Sequence, residues 1–252
     1  MPRRRQKLII VRRSEERRHI EKKDQTTWMT FDSENKSDPL QNGFGMLKIL
    51  NEEILPPGNG FILHTHKAMV IVTYVLEGMV VYKSPLGKPD LVETKEFHRV
   101  NLTPEVKQQG FGVLEPDNAH FFQSGFTNSE KHLEQDGIKK LFTQAERKGI
   151  LKLVASPDGR GSSLSIQQDV QIYSTFINKG NHMIHELLPG RSAWLHVVKG
   201  EVQMNQFHLQ TGDGSGLTDE RSVSFTAQNQ AEILLFDLGK QTQEVPFPFS
   251  NN

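Results

Sequence analysis

Short runs of β-branched and alternating apolar residues recur along most of this chain, separated by glycine, proline, asparagine and aspartate. This pattern is typical of β-sandwiches and β-barrels, because each run is long enough for one strand and each break provides a turn. Helical periodicity is nearly absent: Ile138, Leu141, Phe142 and Ala145 alone follow the i, i+3, i+4, i+7 spacing. We therefore expect an all-β protein with one amphipathic helix across Gly137–Lys148.

The candidate strands form two series. The first series comprises Phe44–Glu53, Gly60–His66, Met69–Glu77, Val80–Lys83, Glu96–Leu102 and Gly112–Leu114. The second comprises Leu151–Ala155, Ser163–Gln167, Val170–Phe176, Met183–Leu188, Trp194–Lys199, Glu201–Asn205, Ser222–Thr226 and Glu232–Leu238. A chain of 252 residues has room for two ordinary domains. We expect a first domain over 1–137, a helical linker over 138–149 and a second domain over 150–252.

An internal repeat supports the division into two. Thr73–Val80 and Leu195–Val202 each read as a strand, a turn with one glycine and a returning strand, with Gly78 and Gly200 in the same place. The two copies lie too far apart for a solenoid, so they indicate two copies of one β-domain.

Composition excludes several classes of function. Cysteine is absent, which rules out disulfides, thiolate metal sites and cysteine nucleophiles. Thirty basic and thirty acidic residues give a net charge of zero, which argues against a general polyanion-binding protein. The first apolar run, Leu8–Val11, is too short for a signal peptide, and no stretch is long enough to span a membrane. We expect a soluble, cytoplasmic protein.

Basic residues are concentrated at the N-terminus, where residues 1–23 hold ten Lys and Arg against three Glu. Such a segment could contact phosphate or nucleic acid, but it lacks interleaved aromatic residues. We expect a solvated terminal strand, and a nucleic-acid partner is the less favoured alternative.

The tripeptide His64-Thr65-His66 carries the clearest sign of chemistry. Residues two apart on a strand face the same side, so both imidazoles can converge on one metal ion inside a barrel. Imidazole suits Fe, Mn, Co, Ni, Cu and Zn. Two ordinary strand histidines are the alternative for this triplet taken alone. His98 could also face a barrel interior, although we expect it at the strand surface. His182, His185, His196 and His208 lack ligand spacing and are expected to be structural or exposed.

The sequence around this pair resembles the pirin family of the cupin superfamily. Five residues separate Gly58 from His64, as in the first cupin metal motif. The pirin-like segments of the first half are Trp28–Phe31, Gly43–Gly45, Ile49–Asn51, Gly60–Lys67 and Val72–Gly78. Those of the second half are Leu153–Asp158, Val197–Gly200, Gly212–Gly214 and Leu234–Leu238. The resemblance implies a bicupin, two jelly-roll β-barrels in one chain, whose first barrel binds one divalent metal through three histidines and one glutamate. Glu186 and Leu188 replace the histidine pair in the second copy.

The metal motif departs from the family pattern in its later part. The family places its third histidine and its glutamate in an H-x-E triplet, and the best match here is His120 followed by Phe122. Val70 stands at another position where an acidic residue is expected. The sequence therefore implies a degenerate site with His64, His66 and His120 as metal ligands, and with Gln123 or Glu115 as a candidate fourth ligand.

Two functions remain open at this point. The resemblance implies a dioxygenase of the quercetin 2,3-dioxygenase type, with Fe(II) the expected metal and a flavonol or similar enol as substrate. Phe122 weakens this hypothesis because the family's glutamate is thought to act as the base. The alternative is a non-catalytic bicupin that binds a small molecule or a protein partner, with weak metal binding or none.

Overall fold

The computed structural model describes residues 8–22, 25–63, 68–83, 89–102, 109–113, 117–127 and 137–240, and strands dominate them. The strands before residue 142 are β1 (Leu8–Arg12), β2 (Arg18–Lys22), β3 (Gln25–Met29), β4 (Leu47–Leu55), β5 (Gly60–Leu63), β6 (Met69–Glu77), β7 (Met79–Lys83), β8 (Asp90–Glu93), β9 (Glu96–Leu102), β10 (Gln109–Val113), β11 (Ala119–Thr127) and β12 (Ile138–Leu141). The later strands are β13 (Lys152–Ser156), β14 (Leu164–Ser165), β15 (Val170–Ile177), β16 (His182–Glu186), β17 (Ser192–Lys199), β18 (Glu201–Met204), β19 (Phe207–Gln210), β20 (Gly214–Thr218), β21 (Ser222–Ala227) and β22 (Ala231–Leu238). One α-helix, α1 (Gln144–Arg147), and 3-10 turns at Ser14–Glu16 and Arg160–Ser162 complete the described elements.

Four sheets form two barrels, and each barrel pairs a seven-stranded with a four-stranded sheet. The first barrel has the strand orders β12-β9-β6-β11-β4-β3-β2 and β5-β10-β7-β8. The second barrel has the orders β1-β20-β17-β22-β15-β13-β14 and β16-β21-β18-β19. The predicted all-β fold with two barrels is confirmed. Among the described residues, no helix is both long and apolar enough to cross a membrane.

The two copies of the repeat form equivalent hairpins. Gly78 joins β6 to β7 and Gly200 joins β17 to β18, with φ angles of +75° and +88°. A Cβ atom at these positions would lie 2.3 Å from the carbonyl oxygen of Asn118 and 2.2 Å from that of Gln230. Glycine is required at both turns for the same two reasons, a left-handed backbone and a close approach of another strand.

Apolar side chains form three separate cores. One core fills each barrel, and the third lies between the two seven-stranded sheets, where Phe122 and Phe126 of β11 pack in one cluster with Trp194 and Phe236. Phe121, the neighbour of Phe122, points the other way into the first barrel. Strands such as β6, β11 and β22 are therefore buried on both faces.

The N-terminal segment crosses between the barrels. Strand β1 pairs with β20 of the second barrel, whereas β2 pairs with β3 of the first. The expectation of a solvated terminal strand is confirmed for β2, which is largely exposed, but it is wrong for two arginines that lie between the barrels. Arg12 and Arg17 are buried, and Arg17 Nη1 lies 2.7 Å from Glu52 Oε2. Arg13 Nη1 lies 2.7 Å from Asp213 Oδ2 in the second barrel. The domain limits at residues 137 and 150 stay a prediction.

The predicted helix across Gly137–Lys148 is wrong over most of its length. Its first part is strand β12, which pairs with β9 of the first barrel, and α1 spans four residues. Ile138 and Leu141 are exposed, so the helical spacing produces no buried face. Thr143 caps α1 by accepting from the Glu146 backbone N–H, and this local capping box fixes where the short helix begins.

Candidate functional site

A row of polar side chains crosses the inner face of the first barrel. Its members stand opposite one another on neighbouring strands β4, β11, β6 and β9. We call them the polar row: Asn51, Gln123, Thr73 and His98. Their neighbours two positions along the same strands, such as Phe121, Val75 and Val100, belong to the core of this barrel. Because side chains alternate along a strand, the polar row also points inward.

Gln123, Thr73 and His98 of the polar row are buried, Asn51 is half-buried, and His98 Nε2 lies 3.8 Å from Asp90 Oδ2. Thr73 Oγ1, Gln123 Nε2 and both ring nitrogens of His98 are buried and make no hydrogen bond within the described part of the chain. Buried polar atoms in folded proteins nearly always bond to protein, ordered water or a ligand. Four such atoms in one row therefore indicate an interior that receives a polar molecule or water.

His98, a member of the polar row, does not lie where the sequence analysis expected it. It is fully buried, with its ring 5.0 Å from the ring of Tyr82 and 6.4 Å from that of Phe111. The expected position at the strand surface is wrong, because β9 has the barrel interior on one face and the inter-barrel core on the other. Burial lowers the pKa of His98 to about 3, so its imidazole is neutral at physiological pH.

The second barrel has no comparable row. The places that correspond to the polar row hold Tyr173, Leu235, Leu195 and Ser215. Leu195 and Leu235 belong to an apolar core that fills this barrel, and Ser215 Oγ donates to the backbone oxygen of Ile10 at 3.1 Å. The interior chemistry of the two barrels therefore differs, and the candidate site lies in the first.

Glu53 is an interior carboxylate that the sequence reasoning missed. It follows Asn51 on the inner face of β4, is 5% exposed, and its Oε2 accepts a hydrogen bond of 2.5 Å from Thr27 Oγ1. Burial raises its pKa to about 7, and the nearby charge of Glu52 adds to this. The sequence did hold a signal. Ile49, Asn51, Glu53 and Leu55 occupy alternate positions of one strand and therefore share a face. Because Ile49 and Leu55 are apolar and face the interior, Asn51 and Glu53 between them must face it too.

The histidine pair lies beyond the described residues. His64 and His66 fall between the end of β5 at Leu63 and the start of β6 at Met69, and Glu115 also lies outside the described ranges. Strand β10 is the neighbour of β5, with Gln109 opposite Leu63. Among the residues that the structure does describe, no three His, Asp or Glu side chains cluster in a way that could hold a metal ion.

His120 and Gln123 lie on opposite faces of β11. His120 Nε2 lies 2.8 Å from Glu52 Oε1, and Glu52 also pairs with Arg17 at the contact between the barrels. Burial opposes the ionisation of Glu52, but its hydrogen bonds with His120 and Arg17 outweigh this and lower its pKa to about 2. Gln123 faces the first barrel with the polar row. The assignment of His120 as a metal ligand stays a prediction.

The two positions at which the resemblance implied a carboxylate belong to the inter-barrel core. Val70 and Phe122 are both buried there. The Phe122 ring lies 5.2 Å from the ring of His196 in the second barrel. An apolar side chain at each position serves the packing of the two barrels.

Comparison with known proteins agrees with this architecture. Residues 11–124 match the Pirin family, and residues 153–238 match the quercetinase C-terminal cupin domain. Quercetin 2,3-dioxygenase of Escherichia coli K12 is 32% identical over 231 residues, which cover 92% of this chain and 99% of that protein. The crystal structure of YhhW from Escherichia coli has a TM-score of 0.83 at 31% identity and covers 92% of this chain and 98% of that one. A crystal structure of bacterial pirin YhhW in complex with nickel(II) has the same TM-score and covers 92% of this chain and 100% of that one.

These matches confirm the predicted bicupin, with a pirin domain followed by a quercetinase-type cupin domain. The similarity to proteins of known structure extends over both barrels rather than one motif. This chain belongs to the pirin family.

Proposed function

We propose that this protein is a metal-dependent dioxygenase of the quercetin 2,3-dioxygenase type that works inside the first barrel. The observation that carries the proposal is the polar row with its unpartnered buried atoms, which the second barrel replaces with an apolar core. The similarity to a quercetin 2,3-dioxygenase over 92% of the chain supports the reaction type. The substrate class that follows is a flavonol or another hydroxylated enol.

His64 and His66 would hold one divalent metal ion. Gln123 is a better candidate than His120 for a further ligand, because its amide faces the first barrel whereas His120 is bonded to Glu52 on the other face. Glu115 remains a candidate from its sequence position. Fe(II) is the metal expected from the resemblance, and the nickel(II) complex of YhhW makes Ni(II) the next choice. When bound, such an ion supplies a Lewis acid and a template for the substrate hydroxyl and dioxygen.

The chain's own side chains would bind and orient the substrate. Thr73 Oγ1 and Gln123 Nε2 supply hydrogen bonds to hydroxyl and carbonyl groups, and the neutral His98 supplies one donor and one acceptor. Phe111 and Phe121 form an apolar wall that excludes water from the same space. Glu53 would accept the proton of the reacting hydroxyl, because a carboxylate with a pKa near neutrality is suited to that role.

Oxygen uptake with a flavonol tests the proposal directly. Protein loaded in turn with Fe(II), Ni(II) or Mn(II) is mixed with quercetin, and dissolved oxygen and quercetin absorbance are followed together. We expect at least one of these metals to support the consumption of one O2 molecule for each quercetin molecule that reacts. Protein that holds one metal per chain, yet consumes no oxygen with quercetin or with simpler enols, would contradict the proposal and favour a binding function.

Substitution of Glu53 with glutamine separates its chemical role from its packing role. We expect Glu53→Gln to lower quercetin-dependent oxygen uptake by about a hundredfold, because glutamine cannot accept the proton. We also expect the variant to be more stable than the parent at pH 8. The folded pKa of Glu53 lies above its unfolded value of 4.5, so its contribution to stability is full below pH 4.5 and is lost as pH rises through about 7. Between these two pH values the parent protein should lose about 3 kcal/mol of unfolding free energy through the ionisation of Glu53.

Urea unfolding of both proteins at pH 5 and at pH 8 measures this difference. Glu93→Gln is the matched control, since Glu93 is exposed on β8 and should change neither activity nor the pH dependence. An equal difference in unfolding free energy between Glu53→Gln and the parent at the two pH values would show that Glu53 does not ionise as described.

A further inference from the structure

A cavity lies between the barrels. Its volume is about 320 Å³, and both barrels and the linker contribute to its lining. Both copies of the repeat meet there, because Tyr74 and Leu76 come from the first copy and Lys199 from the second. We call this cavity the inter-barrel cleft, and it is separate from the interior of the first barrel.

The floor of the cleft is a buried polar cluster. Tyr74 Oη donates to Glu232 Oε1 at 2.5 Å, and Arg147 Nη1 lies 2.8 Å from Tyr74 Oη and 3.2 Å from Glu232 Oε1. Arg147 is fully buried and sits over the ring of Phe176, with its Cζ 4.5 Å from the ring centre. The opposite charges of Arg147 and Glu232 offset each other, so the floor is close to neutral.

Glu232 keeps one acceptor for a molecule in the cleft. Both of its hydrogen bonds within the described residues end on Oε1. The side chain lines the cleft and is 10% exposed. A ligand hydroxyl could therefore donate to Oε2 without displacing a bond of the floor.

The mouth of the cleft carries excess positive charge. Lys95 is half-buried and Lys199 is exposed, and neither makes a direct ion pair within the part of the chain that the structure describes, although the charge of Lys199 acts on Glu232 from a greater distance. Glu77 is the carboxylate beside them at the mouth among the described residues that line the cleft. Leu76 and Phe176 form apolar walls between mouth and floor. A molecule that fits has an anionic end, a flat apolar body and a hydrogen-bond donor at the other end.

We propose that the inter-barrel cleft binds a small hydroxylated aromatic carboxylate. Its carboxylate pairs with Lys95 and Lys199, its ring lies between Leu76 and Phe176, and its hydroxyl donates to Glu232. The volume is within the range of small-molecule sites, which begins near 300 Å³. This site does not depend on the dioxygenase activity proposed for the first barrel.

Titration calorimetry with 4-hydroxybenzoate as the probe tests the site. We expect one molecule to bind per chain with a dissociation constant below about 1 mM. Lys199→Glu should weaken binding at least about tenfold, because it places a negative charge beside the carboxylate. The matched control is Lys36→Glu, which makes the same change at an exposed lysine in the 32–42 loop and should leave binding unchanged.

A comparison of probes tests the contact with Glu232. The parent should prefer 4-hydroxybenzoate over 4-methoxybenzoate by about tenfold, because the methoxy oxygen cannot donate to a carboxylate. In Glu232→Gln the preference should fall to about threefold or less, because an amide N–H can donate to either oxygen. A purely structural role of Glu232 would change both affinities together.

Three results would overturn the proposal. The first is the absence of binding of 4-hydroxybenzoate to the parent protein at millimolar concentration. The second is equal affinity of the parent and Lys199→Glu. The third is binding that is lost in His64→Ala/His66→Ala but kept in Lys199→Glu, which would place the probe in the first barrel.

Discussion

Replacement of both His64 and His66 with alanine is expected to remove the metal from the purified protein and to lower quercetin-dependent oxygen uptake at least about a thousandfold. The expected loss is this large because the metal supplies several kcal/mol of transition-state stabilisation, and each 1.36 kcal/mol corresponds to a factor of ten in rate. Elemental analysis of protein purified without a metal-binding tag measures the first effect, and an oxygen electrode measures the second.

The control for this experiment is His182→Ala/His208→Ala, which removes two exposed histidines of the second barrel. It should keep the metal content of the parent. His120→Ala distinguishes between the candidate ligands, since we expect it to keep the metal whereas Gln123→Leu should lower the metal content. Stoichiometric metal in His64→Ala/His66→Ala would show that the ion is held elsewhere.

Arg147→Met is expected to lower the free energy of unfolding by about 3 to 5 kcal/mol. Methionine retains much of the packing against Phe176, but it leaves the carboxylate of Glu232 buried without its cation. Burial raises the pKa of Glu232 and Arg147 opposes this rise, so removal of Arg147 makes ionisation of Glu232 more costly in the folded protein. The loss should therefore be greater at pH 8 than at pH 5, and urea unfolding at both pH values measures it.

The double variant Arg147→Met/Glu232→Gln shows whether the charge causes the loss. Because glutamine removes the uncompensated charge, we expect the double variant to recover at least about 1 to 2 kcal/mol relative to Arg147→Met. It also provides the measurement if the single variant is too unstable to purify. Simple additivity of the two single substitutions would contradict the proposed coupling.

The two-barrel fold could be predicted because its signals are local. Alternating runs mark strands, and the glycine turns at Gly78 and Gly200 mark equivalent hairpins within a few residues of sequence. The division into barrels then follows from the repeat. The start of α1 is equally local, but the spacing of Ile138 and Leu141 mimicked a longer helix whose apolar face has no partner.

The position of His120 could not be predicted, because its strand is buried on both sides. Alternation of apolar and polar residues reveals the face of a strand where one side meets water. In Ala119-His120-Phe121-Phe122 one face fills the barrel and the other meets the second barrel, so each face carries a buried phenylalanine and neither is marked as the solvent side. The partner of His120, Glu52, lies 68 residues away in sequence, and no local pattern indicates such a pair.

The pairing of β1 with β20 has a consequence for how the chain reaches its native state. Leu8 stands opposite Thr218, so the β1 segment leaves the ribosome about 210 residues before the strand with which it pairs. Contacts of such long sequence separation slow folding, because the loop between them must close first. Until then β20 presents an unpaired edge, which is a site for association with other chains. Removal of the first twelve residues would make that exposed edge permanent, and aggregation during expression is the result to expect.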